Sequence, residues 1–193
     1  MIKFNLRKEY KNSFRYIEES KKFIYFIVGI FFLFCFIGFL FIPSEAISNQ
    51  IFEYIRQLLE RTKDYGAPEM VGFIFWNNLK SSFIGLFSGM FLGIFSLVNA
   101  IANGYLLGFV SFFTVVQNGG LSLLRLFPHG IFELPAIFVS LGLGLKLGSF
   151  VFQKEKVLFL RKNILNSFRV FILVILPLLL IGAIIEGLFI VFR

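Results

Sequence analysis

From Phe23 to Ile42 the chain runs without a single charged side chain. At about 1.5 Å of rise per residue, a helix of that length crosses the roughly 30 Å hydrocarbon layer of a bilayer. Inside lipid no water is available to backbone N–H and C=O groups. They must be paired within a helix or around a closed barrel. The apolar residues here are continuous and do not alternate, which selects the helix. Similar runs recur through the chain, which is 58% hydrophobic and contains 30 phenylalanines among its 193 residues. A mean hydropathy of +0.84 is too high for a soluble domain of this size. The expected fold class is all-α, a polytopic membrane helix bundle with five transmembrane helices plus amphipathic surface helices.

The net charge of +8 does not point to nucleic acid. Most of it sits in two short stretches, as orientation in a membrane and attraction to lipid headgroups require. With Cys35 as the only cysteine, no intramolecular disulfide can form. Neither a Gly-rich phosphate loop nor a nucleophile-elbow Ser–His arrangement is present. No cofactor is expected, and the chain is read as non-enzymatic.

Residues 1–22 form a basic amphipathic cytoplasmic segment, with Ile2, Leu6, Tyr10, Phe14 and Ile17 at helical spacing. They lie either on the membrane face or against the protein's own loops. The first span follows them and is long enough to be a span rather than a cleaved leader. Residues 23–193 form the five-span membrane domain. In it, residues 44–65 make an extracytoplasmic amphipathic helix with an Ile47, Ile51, Phe52, Ile55, Leu58 and Leu59 stripe. The second span is expected from Gly72 to Val98, a polar turn at Asn99 to Gly104, and the third span from there to Val116. Gln117 to Gly120 is a loop. The fourth span runs from Pro128 to Phe150, a basic loop covers 153–169, and the fifth span runs from Val170 to Phe192 around Pro177. This count puts both basic stretches on one side. The positive-inside rule then gives a multi-pass protein of the cell membrane, N-terminus cytoplasmic and C-terminus extracytoplasmic.

Small residues recur every four positions in two spans: Ser81, Gly85, Gly89 and Gly93, then Ala136, Ser140, Gly144 and Gly148. Such stripes let helix backbones approach closely. They pack within one subunit or, alternatively, form the seam of a homo-oligomer. The rare ionisable groups fall at similar depths, in the outer half of the bundle. Lys80 follows Trp76, Asn77 and Asn78 in span two; Arg125, His129 and Glu133 open span four; Glu186 is near the outer end of span five. Ionisable groups at membrane depth are costly and face a bundle interior or a wet cavity. Lys80 with Glu133 is the expected ion pair, with Glu186 either meeting Arg125 or His129 or staying protonated through desolvation. Asn77, Lys80, Arg125, His129, Glu133 and Glu186 are therefore the candidate binding residues. A metal-dependent hydrolase would need His129, Glu133 and Glu186 as a three-ligand set, and the His-x-x-x-Glu spacing supplies only two. No metal site is expected.

Several of these residues carry a family resemblance: Phe75-Trp76-Asn77-Asn78, the glycines to Gly93, Asn99, and Asn103-Gly104. The strongest part is Pro128-His129-Gly130-Ile131-Phe132-Glu133-Leu134-Pro135-Ala136 followed by Ser140-Leu141-Gly142-Leu143-Gly144. Across residues 20–192 the chain resembles the stage II sporulation protein M family of integral membrane proteins. The resemblance implies a five-span topology. In spore formers the family member acts with two peptidoglycan-degrading partners at the septum, as a membrane anchor and recruiter. The expected function is thus a membrane scaffold that recruits partners or remodels the membrane. Its expected partners are membrane lipids and other membrane or envelope proteins. The alternative is a transporter or channel whose outward-facing polar cluster receives a small solute, ion or lipid group.

Overall fold

The computed structural model describes residues 5–191, and for residues 124–129 the backbone alone. Among the described residues the chain is helical throughout, with no strand. The helices are α1 (Leu6–Glu19), α2 (Lys21–Leu40), α3 (Glu45–Thr62), α4 (Ala67–Phe87), α5 (Ile94–Asn118), α6 (Phe127–Gly148), α7 (Lys156–Val170) and α8 (Leu176–Val191). Short 3-10 turns at Ser88–Met90, Gly120–Leu126 and Ser149–Phe152 join some of them. Four helical stretches are long and apolar enough to cross a membrane: Lys21–Leu40, Ile94–Asn118, Gly130–Phe152 and the continuous Lys156–Val191. The chain is a multi-pass membrane protein. α4 is comparable in length, but Asn77, Asn78 and Lys80 dilute its apolar run.

Helix direction follows from the contacts. On α2 and α5, Phe31 meets Gly104, Cys35 meets Gly108 and Phe39 meets Phe112, so these two helices run parallel. On α2 and α6, Ile24 meets Gly142 and Phe31 meets Phe138, which is antiparallel. α4 and α6 are parallel, with Ser82 at Ser140 and Gly89 at Gly144. α4 and α8 are antiparallel, with Val71 at Gly187 and Phe83 at Phe171. Thus α2, α5 and α8 run one way, and α4 and α6 the other.

Three expected boundaries are corrected. The second span ends at Phe87, not Val98, and Asn99 to Gly104 is helical within α5. The real turn is at residues 88–93, where Leu92 and Gly93 take φ of 58° and 73°. Leaving a helix this sharply needs the left-handed region, which Gly93 enters without a Cβ penalty. The unbroken apolar run Met90 to Val98 hid the turn, because lipid-facing turn residues need not be polar. The basic stretch 153–169 is not a loop; α7 carries it as a helix. Nor does the fifth span start afresh at Val170. A π-helical turn at Phe171–Ile175 links α7 to α8. Pro177 has no N–H for the Leu173 carbonyl, and the widened turn accommodates that gap.

α1 buries Ser13 and Tyr16, with the capping Ser20 buried after it, and exposes Leu6, Tyr10 and Phe14. It therefore packs a polar face on α7, where Glu9 pairs with Arg169, turns Leu6, Tyr10 and Phe14 outward and packs Ile17 against the core. Of the two sequence alternatives for this segment, the structure shows packing against the protein's own chain, on α7.

Candidate functional site

Gly85, Gly89, Gly144 and Gly148 form the seam at the bundle centre. A Cβ on Gly144 would lie 2.5 Å from both the Gly85 carbonyl oxygen and Ser96 Oγ, and one on Gly148 would lie 2.6 Å from Gly93 Cα. Two hydroxyls stitch the seam: Ser140 Oγ donates to the Ser82 carbonyl at 2.5 Å, and Ser96 Oγ to the Gly85 carbonyl at 2.8 Å. Gly93 serves here as a turn residue, not as part of a helical stripe, while Ala136 is fully buried and Ser81 half-buried. A second seam went unread in the sequence. Gly104 and Gly108 press on the α2 backbone at Phe31 and Cys35, and Gly38 presses on Tyr105. Its signal is the four-residue spacing Ser96, Ala100, Gly104, Gly108, obscured because Asn99 to Gly104 reads as a polar turn.

The polar groups of α4, α6 and α8 build from these seams. Glu133, in the second turn of α6, has no exposed surface. It faces α8, where a Cβ on Gly182 would sit 2.7 Å from Glu133 Cγ. Glu186 is half-buried, one turn beyond Gly182. Since α8 opposes α6, that turn places Glu186 about 6 Å toward the start of α6. The two carboxylates thus lie about one turn apart on neighbouring helices. Lys80 does not join them. It lies two residues before Ser82, hence at the level of residue 138, about 8 Å further along α6 than Glu133. It is exposed on α4 and forms no ion pair with Glu133, so the expected pairing is corrected. The cause is rotational: Ser82 and Gly85 occupy the α4 face toward α6, and Lys80 falls off that face. Asn77 is exposed and Asn78 half-buried. The side chains of Arg125 and His129 lie outside the described residues. α6 begins at Phe127, so its dipole acts mostly on the first turn and weakly on Glu133. Among the described residues no three metal-ligating side chains come together.

At the opposite end lies a polar cluster that sequence reading missed. Lys146 Nζ donates to Ser20 Oγ at 2.9 Å and stands 4.0 Å over the Tyr16 ring. The Tyr16 hydroxyl donates to Asn163 Oδ1 at 2.9 Å and lies 3.3 Å from Ser167 Oγ. Every partner is buried, so a lysine at the end of an apolar helix is held by a cation–π contact and a hydroxyl. The available signal was a basic residue in an otherwise uncharged stretch of span four. This cluster ties α1 to α6 and α7.

Burial pushes the Tyr16 hydroxyl up to about 12 from its ordinary 10. The folded state therefore keeps its proton where the unfolded chain has lost it. The resulting stability, on the order of 2 kcal/mol, is fully present below pH 10 and falls away as pH rises toward 12. Thermal unfolding of the detergent-solubilised protein should show a downward step across that window. In Tyr16→Phe the step should be absent; a wild-type curve no steeper than the variant's would refute this.

Asn99 and Asn103, one turn apart on α5, bond to each other at 2.9 Å on an exposed face. They form no part of either cluster.

Comparison with known families gives one result. The family model described as Stage II sporulation protein M matches residues 23–189. No curated protein and no solved structure matches the chain.

Proposed function

Because the chain belongs to the stage II sporulation protein M family, we propose that it is a non-enzymatic membrane scaffold that recruits membrane or envelope partners. The observation that carries this reading is the closed central seam. Alternating access needs helices that rock apart, yet at Gly85, Gly144 and Gly148 the backbones touch with no room for a methyl group. A platform gains from that rigidity. α4 serves as the fifth span, since it packs between α6 and α8 and runs parallel to one and antiparallel to the other. With the basic α1 and α7 inside, the N-terminus is cytoplasmic and the C-terminus extracytoplasmic. α3 then lies outside. Phe52 anchors it on Phe109 and Phe113, while Ile47, Tyr54 and Leu59 stay exposed. That leaves an apolar face on the side where envelope partners would be met.

Crosslinking and pull-down from native membranes tests this. Ile47→Gln with Leu59→Gln should leave thermal stability unchanged and lose the captured partners. Capture of an unaltered partner set would overturn the recruiting role. The second reading, transport, draws on the two carboxylates lying within about one turn of each other on α6 and α8. It predicts solute flux in reconstituted vesicles that Glu133→Gln abolishes, whereas a scaffold predicts no protein-dependent flux.

A further inference from the structure

An open groove of about 420 Å³ lies at the basic end of the bundle, where α2 begins and α6 ends. Its walls are apolar: Phe23 and Phe26 from α2, Leu92 from the turn before α5, Leu145 from α6 and Phe152 just after it. Lys22 stands at its rim. We propose that this groove holds one anionic phospholipid of the adjoining leaflet, with an acyl chain along the apolar walls and the phosphate on Lys22.

Three observations converge on that occupant. The first is charge. Lys21 is engaged with Glu18 at 3.5 Å, whereas Lys22 is exposed and has no ion pair among the described residues. An ammonium at the membrane surface, directly above an apolar trough, complements a molecule with an anionic head and an apolar tail. The second is depth. α2 passes from Lys21 and Lys22 straight into the uncharged run that starts at Phe23, so Lys22 sits at headgroup level and the trough below it in hydrocarbon. The volume is within the range of roughly 300–1,000 Å³ usual for small-molecule sites. The third is the wall itself. Leu92 is the only described non-glycine residue with positive φ, and its side chain is exposed. A leucine held in the left-handed region is strained, and strain of this kind collects where a fixed geometry serves a site. Here it sets Leu92 into the groove wall.

Native mass spectrometry of the protein released from nanodiscs tests the proposal. The discs would contain phosphatidylcholine with a minority of phosphatidylglycerol. The wild-type protein should retain one phosphatidylglycerol, enriched several-fold over its share of the disc. Lys22→Gln should remove the enrichment while still allowing either lipid to be carried. Lys11→Gln, the same charge change on an exposed face of α1, should leave it intact. Ser149 also lines the groove, so Ser149→Trp, which fills it, should abolish retention of both lipids. Equal loss in Lys11→Gln would mean diffuse electrostatics only and would overturn the site. So would unchanged enrichment in Lys22→Gln. A doubled mass that Ser149→Trp returns to monomer would show that a second copy covers the groove instead, and would equally overturn it.

Discussion

Gly144→Leu should unfold the bundle or drive α4 away from α6, at a cost of at least about 3 kcal/mol. Even one methyl carbon at this position would stand 2.5 Å from the Gly85 carbonyl oxygen and 2.9 Å from that of Leu86. Neither obstacle is the end of a flexible side chain. The neighbours are backbone, locked in α4 by its own hydrogen bonds, so relief requires moving a whole helix. In lipid there is no hydrophobic drive to pull the pair back together; van der Waals contact and the Ser140 and Ser96 hydroxyl bonds hold it. The matched control is Gly29→Leu on α2, where an added Cβ meets nothing within 4 Å. That variant should stay within about 1 kcal/mol of wild type, helped by leucine's better helix propensity. Thermal or SDS unfolding in mixed micelles reads both. Comparable midpoints for the two variants would show that the seam is not what closes the bundle.

Glu133→Ala is expected to cost about 2–4 kcal/mol, through a cavity facing Gly182 and the loss of polar contacts inside the bundle. Lys80→Leu should change stability by less than about 1 kcal/mol, because its side chain is outside the bundle interior. The double variant should be additive to within about 0.5 kcal/mol, as for residues sharing no partner. A coupling well above that, measured by the same unfolding assay, would restore the Lys80–Glu133 pair that the geometry separates. Glu133→Gln, which keeps the shape, should fall between Glu133→Ala and wild type.

The two carboxylates also show how far linear reading reaches. Depth along a helix is nearly a sequence quantity, because rise per residue is constant. Glu133 and Glu186 could therefore be assigned to one level from span directions alone, and the structure places them about a turn apart across α6 and α8. Rotation about the helix axis is not a sequence quantity where both faces are apolar. Depth alone places Lys80 in the interior, but Ser82 and Gly85 own the inward face of α4. Lys146 was overlooked for the converse reason. Near a helix end a lysine reads as a snorkelling surface residue, and only the fold brings Tyr16, 130 positions earlier in the chain, beneath its ammonium.

Boundaries divide the same way. The run from Phe23 to Ile42 had to be a helix, because twenty uncharged residues in lipid have no other way to pair their backbone. The stripes of small residues had to be contact faces, because nothing else lets membrane helices approach. What they touch was open until the chain folded. Gly89 meets Gly144, while Gly104 and Gly108, in a seam the sequence did not reveal, meet α2. The turn at Leu92 and Gly93 was decided by tertiary packing, since the surrounding residues are as apolar as the helices they join. Local sequence determined that the chain is a membrane helix bundle, because solvation acts on each segment independently. Which faces meet, and hence which charges share an interior, was decided only by the assembled bundle, because packing energy belongs to pairs of helices.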